Sequence, residues 1–240
     1  MIGLGTIINT AGIIIGGLIG LLFGRFITKR FQDTLMKATG VCVMFVGMGG
    51  VMEKMLAVSG DRLTSGGALM MIGSLAIGSL LGEWLNIDLR MEQFGEWLKI
   101  KTGNSGDAKF VEGFVTASLT ICIGAMAVVG SIQDGLTGEY SVLALKAVLD
   151  LIIILIMTSS LGKGCIFAAI PVAVFQGSVT LLARLIEPLM IPAALDNLSF
   201  VGSILIFCVG VNLIWEKKFK VVNMLPSIVV AVIWALIASL

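Results

Sequence analysis

Two residues four apart carry the strongest chemical signal in this sequence: Lys146 and Asp150, inside the apolar stretch Ser141–Ser160. That spacing places both on one face of a helix. Asp150 falls about halfway along a stretch long enough to cross a bilayer. An ionisable group at that depth costs about 2.5–3.5 kcal/mol on insertion scales, and it marks a candidate ion or substrate path. Lys146 lies about 6 Å nearer one surface, at about 1.5 Å of rise per residue. Its charge can tune the Asp150 carboxyl or meet an anionic substrate. The plainer reading is a local ion pair that neutralises itself for packing or assembly.

Further polar residues fall within other apolar stretches. Cys165–Leu185 holds Pro171, then Gln176, Gly177, Ser178 and Thr180. Proline removes a helix hydrogen bond and the glycine weakens the helix further, so a break between Pro171 and Gly177 is expected. Freed carbonyls at membrane depth are tolerated where they line protein or a water-filled cavity. Gln176 should reach the depth of Asp150. Phe110–Ile132 offers Thr116 and Thr120 on one face, near the same depth; bonding to their own helix carbonyls would also satisfy them. Asn9 and Asn212 are further intramembrane amides. Gln133-Asp134-Gly135 reads as a polar cap or turn. Asp150, Lys146, Gln176, Gly177, Ser178, Thr116, Thr120, Asn9 and Asn212 together form the candidate substrate- or ion-binding set, with no catalytic and no metal-ligating residue expected.

Other chemistry finds little support. The chain has no His, which removes the commonest general base and metal ligand. It has no GxSxG elbow, no GxxxxGK phosphate loop and no HExxH. The four cysteines, Cys42, Cys122, Cys165 and Cys208, sit in apolar stretches without paired spacing. Neither an enzyme nor a cofactor is expected.

The elements that must position these residues are membrane helices. Of 240 residues 58% are hydrophobic and only 13% charged, with a mean hydropathy of +1.07. A soluble domain of this size could not cover its apolar surface with so few charges. The bilayer is therefore the first partner. A net charge of +1 gives no case for nucleic acid. Eight spans are expected, near Gly3–Gly24, Ala38–Met52, Gly67–Gly82, Phe110–Ile132, Ser141–Ser160, Cys165–Leu185, Phe200–Trp215 and Val221–Leu240. The second, third and seventh are short by that criterion and should run further. The expected fold is an all-α polytopic transmembrane helical bundle forming one domain, 1–240.

Two connecting segments, Arg25–Lys37 and Ile87–Ile100, mix apolar residues at helical spacing with charges and read as interfacial amphipathic helices. Topology follows from Lys and Arg, which accumulate on the cytoplasmic side. The connections after spans one, three, five and seven carry Arg25, Lys29, Arg30, Lys37, Arg90, Lys99, Lys101, Lys109, Lys163, Lys217, Lys218 and Lys220. The other side carries Lys54, Arg62 and Arg184. Both termini are thereby expected outside the cytoplasm.

Cys42–Lys54 can be laid on Leu205–Lys217 without a gap, matching Val46, Gly47, Glu53 and Lys54 to Val209, Gly210, Glu216 and Lys217. Spans two and seven cross in opposite directions, so the match points to an inverted-topology repeat, as many secondary transporters use. The repeat units would be 1–101 and 165–240, flanking spans four and five at 110–160. A rival register lays Gly20 and Gly24 on Gly78 and Gly82. Glycines recur every fourth residue at Gly12, Gly16, Gly20 and Gly24, and at Gly78 and Gly82 after Ser74. Such bare faces permit close helix packing. They also offer a candidate homodimer or sliding surface.

Gly113–Leu136 (GFVTASLTICIGAMAVVGSIQDGL), Leu145–Asp150 (LKAVLD), Ser160–Gly164 (SLGKG), Val174–Leu182 (VFQGSVTLL) and Asn223–Pro226 (NMLP) resemble a bacterial membrane family known as domain of unknown function 554. The resemblance covers essentially the whole chain. It implies a protein of the bacterial inner membrane, in a family described as transporters, and it implies no substrate.

The resulting expectation is a secondary transporter of a small solute or ion, with a polar site at the midplane of spans four to six. A channel would instead show a polar stripe along one or more helices. A non-transporting assembly or partner subunit would use Lys146 and Asp150 across an interface.

Overall fold

The computed structural model describes the chain except residues 25, 27, 60, 61, 216, 217 and 240, and except the side chains of residues 59 and 125. Among the described residues, twelve α-helices follow one another, joined by turns and one β-hairpin: α1 (Leu4–Gly24), α2 (Lys29–Met55), β1 (Leu56–Ser59), β2 (Arg62–Ser65), α3 (Ala68–Leu85), α4 (Ile87–Lys101), α5 (Phe110–Cys122), α6 (Ala125–Thr137), α7 (Ser141–Leu161), α8 (Ala169–Leu181), α9 (Ala183–Ile186), α10 (Pro192–Trp215), α11 (Val221–Met224) and α12 (Pro226–Ala238). The chain is an all-α polytopic bundle.

Among the described residues, seven helical segments are long and apolar enough to cross a membrane; α5 and α6, bent by 65° at their break, pass the same test together, as a broken span or a re-entrant loop. Spans two, three and seven run past the expected limits: α2 has 27 residues, α3 has 18 and α10 has 24. Large apolar side chains such as Ile14, Leu18, Phe45, Leu80 and Val229 face outward. A lipid surround explains such exposure; water would not tolerate it.

One of the two expected connecting helices needs correction. The segment 25–37 is not a separate interfacial helix. From Lys29 onward it forms the first turns of α2, because nothing between Thr28 and Met55 interrupts the helical backbone; Arg25 lies outside the described residues. The segment Ile87–Ile100 does form its own helix, α4, turned away from α3 at Asn86 (φ 49°). Leu89, Phe94, Trp97 and Ile100 lie exposed on one side of it, while Gly95 and Leu98 pack inward and Phe94 meets Phe114 with rings tilted by 60°.

The glycine faces are used within the chain. A side chain at Gly12 would meet the Ala147 carbonyl at 3.0 Å, and one at Gly24 the Ser159 carbonyl at 3.1 Å. Gly16 and Gly20 meet the Leu151 and Leu155 carbonyls in the same way. Each fourth residue of α1 thus rests on each fourth carbonyl of α7, and the two helices run parallel. Gly78 and Gly82 rest on Ser227 and Asn223. These surfaces are therefore not free to receive a second copy, which corrects the expectation of a homodimer through them.

Helices α2 and α10 cross antiparallel through a second glycine contact. A Cβ at Gly47 would lie 2.5 Å from the Phe207 amide nitrogen and 2.7 Å from the Ser203 carbonyl. One at Gly210 would lie 2.6 Å from the Met44 amide nitrogen and 2.8 Å from the Gly40 carbonyl. Gly47 and Gly210, and Met44 and Phe207, are matched positions in the aligned segments; Glu216 and Lys217 of that match lie outside the described residues.

Candidate functional site

Span four is the broken one. Helix α5 ends at Cys122, Gly124 adopts φ 143°, and α6 starts at Ala125. Few residues other than glycine enter that backbone region. The last carbonyls of α5 have no helical partner and carry the negative end of its dipole. Lys146 answers this: its ammonium donates to the Ile121 carbonyl at 2.8 Å. The same Nζ donates to both Asp150 carboxylate oxygens, at 2.8 and 2.7 Å. Lys146 is 7% exposed and Asp150 3%.

The expected break at Pro171 does not occur. Helix α8 runs unbroken from Ala169 to Leu181, preceded by a 3₁₀ turn over Lys163–Ala168. Pro171 sits in the first turn of α8, where a missing N–H costs nothing. Gly177 and Ser178 turn away from the interior: Ser178 is exposed, and a side chain at Gly177 would meet open space. Thr116 opens onto a cavity of about 330 Å³ at the lysine-rich end, beside Asp88, Glu92, Glu96 and Glu112. Thr120 donates to the Thr116 carbonyl and borders an apolar cleft along α2 and α7. Asn212 ties off the turn after α10, accepting from the Lys218 and Phe219 amides and donating to the Phe219 carbonyl.

Of the other expected residues, Asn9 neighbours the pair and Gln176 is buried within α8. The Asn9 side chain lies within reach of the Asp150 carboxylate, but no hydrogen bond of good geometry forms between them. Thr6 and Thr180 hydroxyls meet at 3.5 Å and fix the register of α1 on α8. These helices run in opposite directions, so Asn9 and Gln176 each stand one turn further in. Gly135 of α6 rests on the Thr180 carbonyl, which places Ser131 one turn in as well. Asn9 and Ser131 are 0% exposed and Gln176 1%. Among the described residues, seven buried side-chain polar atoms lack a partner, and these three residues hold five of them. Buried polar atoms are paired in most proteins, so a cluster of orphans marks a place for water or a ligand.

The layer toward the Met1 end is closed by a second carboxylate. Asp134, 0% exposed, accepts hydrogen bonds from the Gly3 and Gly5 amides, both at 3.1 Å. It occupies the positive N-terminal end of α1. Reading Gln133-Asp134-Gly135 as a polar cap or turn did not give Asp134 its partner at the start of α1, and Ser131 was not singled out. The only signal for either was their phase on the helix, three residues apart. Among the described residues no three His, Cys, Asp or Glu side chains cluster at metal-binding spacing.

At the lysine-rich end, Glu83 accepts from Lys220 and Asn223, each at 2.7 Å, and Asn223 accepts from the Asp88 amide. The Glu83 carboxylate holds the Lys220 ammonium above the usual lysine range. This knot fixes the α3–α4 corner to the start of the last span.

A polytopic membrane protein with a buried polar centre is thus the class that fold and site define. Comparison with known proteins gives the family. Residues 4–236 match the family described as "Protein of unknown function (DUF554)", and the chain belongs to it. It is 32% identical over 226 residues to "Uncharacterized membrane protein YdfK" of Bacillus subtilis (strain 168), covering 94% of this chain and 93% of the relative. It is 25% identical over 232 residues to "Uncharacterized protein YqgA" of Escherichia coli (strain K12), covering 95% and 94%. No solved structure matches it.

Proposed function

We propose that the chain is a secondary transporter of a small solute or ion in the bacterial inner membrane, with both termini outside the cytoplasm. The observation that carries this reading is the fully buried set Asn9, Ser131 and Gln176, with five polar atoms that form no hydrogen bond of good geometry, of which Asn9 lies beside the Lys146–Asp150 pair. Leaving each such group unsatisfied costs about 1–3 kcal/mol, an expense that a bound solute or water would offset. The broken helix α5–α6 supports the same reading, since discontinuous helices build transporter sites from half-helix ends. The like environments of Gly47 and Gly210 support an inverted repeat about α2 and α10, and with it alternating access around a central site. The closed pair of Lys146 and Asp150 favours a gated carrier over an open pore.

The test is proton and solute flux in proteoliposomes, comparing wild type with Asp150→Asn against pools of small metabolites and ions. Flux driven by one pool and lost in the variant is expected. Equal traces from both proteins with every pool would overturn the transporter reading.

A further inference from the structure

Lys146 occupies the position of a cation. Its ammonium sits between two carboxylate oxygens of Asp150 and the free carbonyl of Ile121, at 2.7–2.8 Å from all three. Those are the oxygen types that hard cations take. More oxygens stand unused: the Asn9 amide, beside Asp150, and, buried on α6 and α8, the Ser131 hydroxyl and the Gln176 amide. The oxygen set therefore exceeds what one ammonium uses. Charge limits what could replace it. A single carboxylate offsets one positive charge, and a second would remain buried without compensation.

Resting on the transporter reading above, we propose that the site exchanges a monovalent alkali cation for the proton of Lys146. The cation displaces the ammonium from the Asp150 carboxylate and the Ile121 carbonyl, with Asn9 as a further oxygen ligand. Lysine-NH3+ and free M+ become lysine-NH2, bound M+ and one released H+. The site is neutral before and after, so neither state strands a charge in the bilayer. The group facing the pair from α5 is the Cys122 thiol, and from α1 the uncharged Asn9. On α6, Asp134 is committed to the start of α1, further toward the Met1 end.

Lysine suits this task because it gives up its proton readily when a competitor takes its partner, whereas arginine does not. Lys146→Arg keeps the charge and the ion pair but is at least about a hundredfold harder to deprotonate, given reference pKa values about two units apart. The experiment uses the full chain in proteoliposomes, with Li+, Na+ or K+ added to one side and internal pH followed by a trapped dye. Wild type should move protons against one of these cations and not against choline. Lys146→Arg, checked for folding by its elution profile, should lose about a hundredfold or more of that exchange. In Lys146→Met, the same cation should raise the unfolding temperature in detergent, and choline should not, because it now supplies the charge Asp150 lacks.

Exchange in Lys146→Arg at the wild-type rate would overturn the proposal, and so would absence of any alkali-dependent proton movement in wild type. If wild type lacks alkali exchange but carries another solute in an Asp150-dependent way, the cation proposal fails and the transporter reading stands. If no cation and no solute pool moves, both fail.

Discussion

Two buried carboxylates, Asp150 and Asp134, meet the same membrane problem by different means. Asp150 takes a charged partner from its own helix, one turn away. Asp134 takes two backbone amides from the far end of the sequence, at the start of α1. A formal ion pair remains whole only while both members are present. Helix-end amides carry partial charge and hold their partner through fold geometry alone. The first arrangement can be opened by a competing ion, and the second requires α1 to move. Chemistry should therefore concentrate at Asp150, and mechanical closure at Asp134.

The largest effect should come from splitting the ion pair. Lys146→Met leaves a carboxylate buried without its cation, a loss of about 3–5 kcal/mol in unfolding free energy in an alkali-free buffer. Adding Asp150→Leu should recover most of it, because the paired removal strands nothing. Chemical unfolding in detergent micelles measures both, and a double variant no more stable than the single one would deny that charge is the cause. Asp134→Leu should cost less, about 1–3 kcal/mol, since it strands one buried amide, that of Gly5, while the half-buried Gly3 amide can turn to water. A loss there larger than in Lys146→Met would invert the comparison.

Packing supplies the next contrast. Gly16→Leu forces a side chain into the Leu151 carbonyl and should cost about 1–3 kcal/mol or prevent insertion. Gly177→Ala meets open space and should fall within about 0.5 kcal/mol of wild type. Smallest of all should be Ser178→Ala, whose exposed hydroxyl faces away from the site; unchanged flux is expected, and a loss comparable to that of Asp150→Asn would return Ser178 to the site.

The span count, the Lys146–Asp150 pair and the inward-facing amides Asn9 and Gln176 were legible because each rests on local composition or on the helical repeat. Pro171 misled because a proline's effect depends on its position within its helix, and the helix start at Ala169 is not marked in the sequence. Gly124 broke span four instead, yet it is one of 30 glycines with nothing local to set it apart. Thr116, Thr120 and Asn212 shared the right depth or polarity with the site but not the right azimuth. Depth follows from counting along the chain; azimuth depends on which neighbour each helix turns toward.

By itself, then, the sequence determined that this is a membrane bundle of about eight spans with one charged pair near its centre, since hydropathy and spacing of four act within a single helix. Only the tertiary structure decided that Asn9 lies beside that pair, that Ser131 and Gln176 are buried without partners, that Ile121 offers the pair a carbonyl, and that Asp134 closes on Gly3 and Gly5. The contact of Asp134 with Gly3 alone joins residues 131 positions apart. Their register is set by glycine faces pressed against neighbouring carbonyls, a long-range match of shapes that no local pattern encodes.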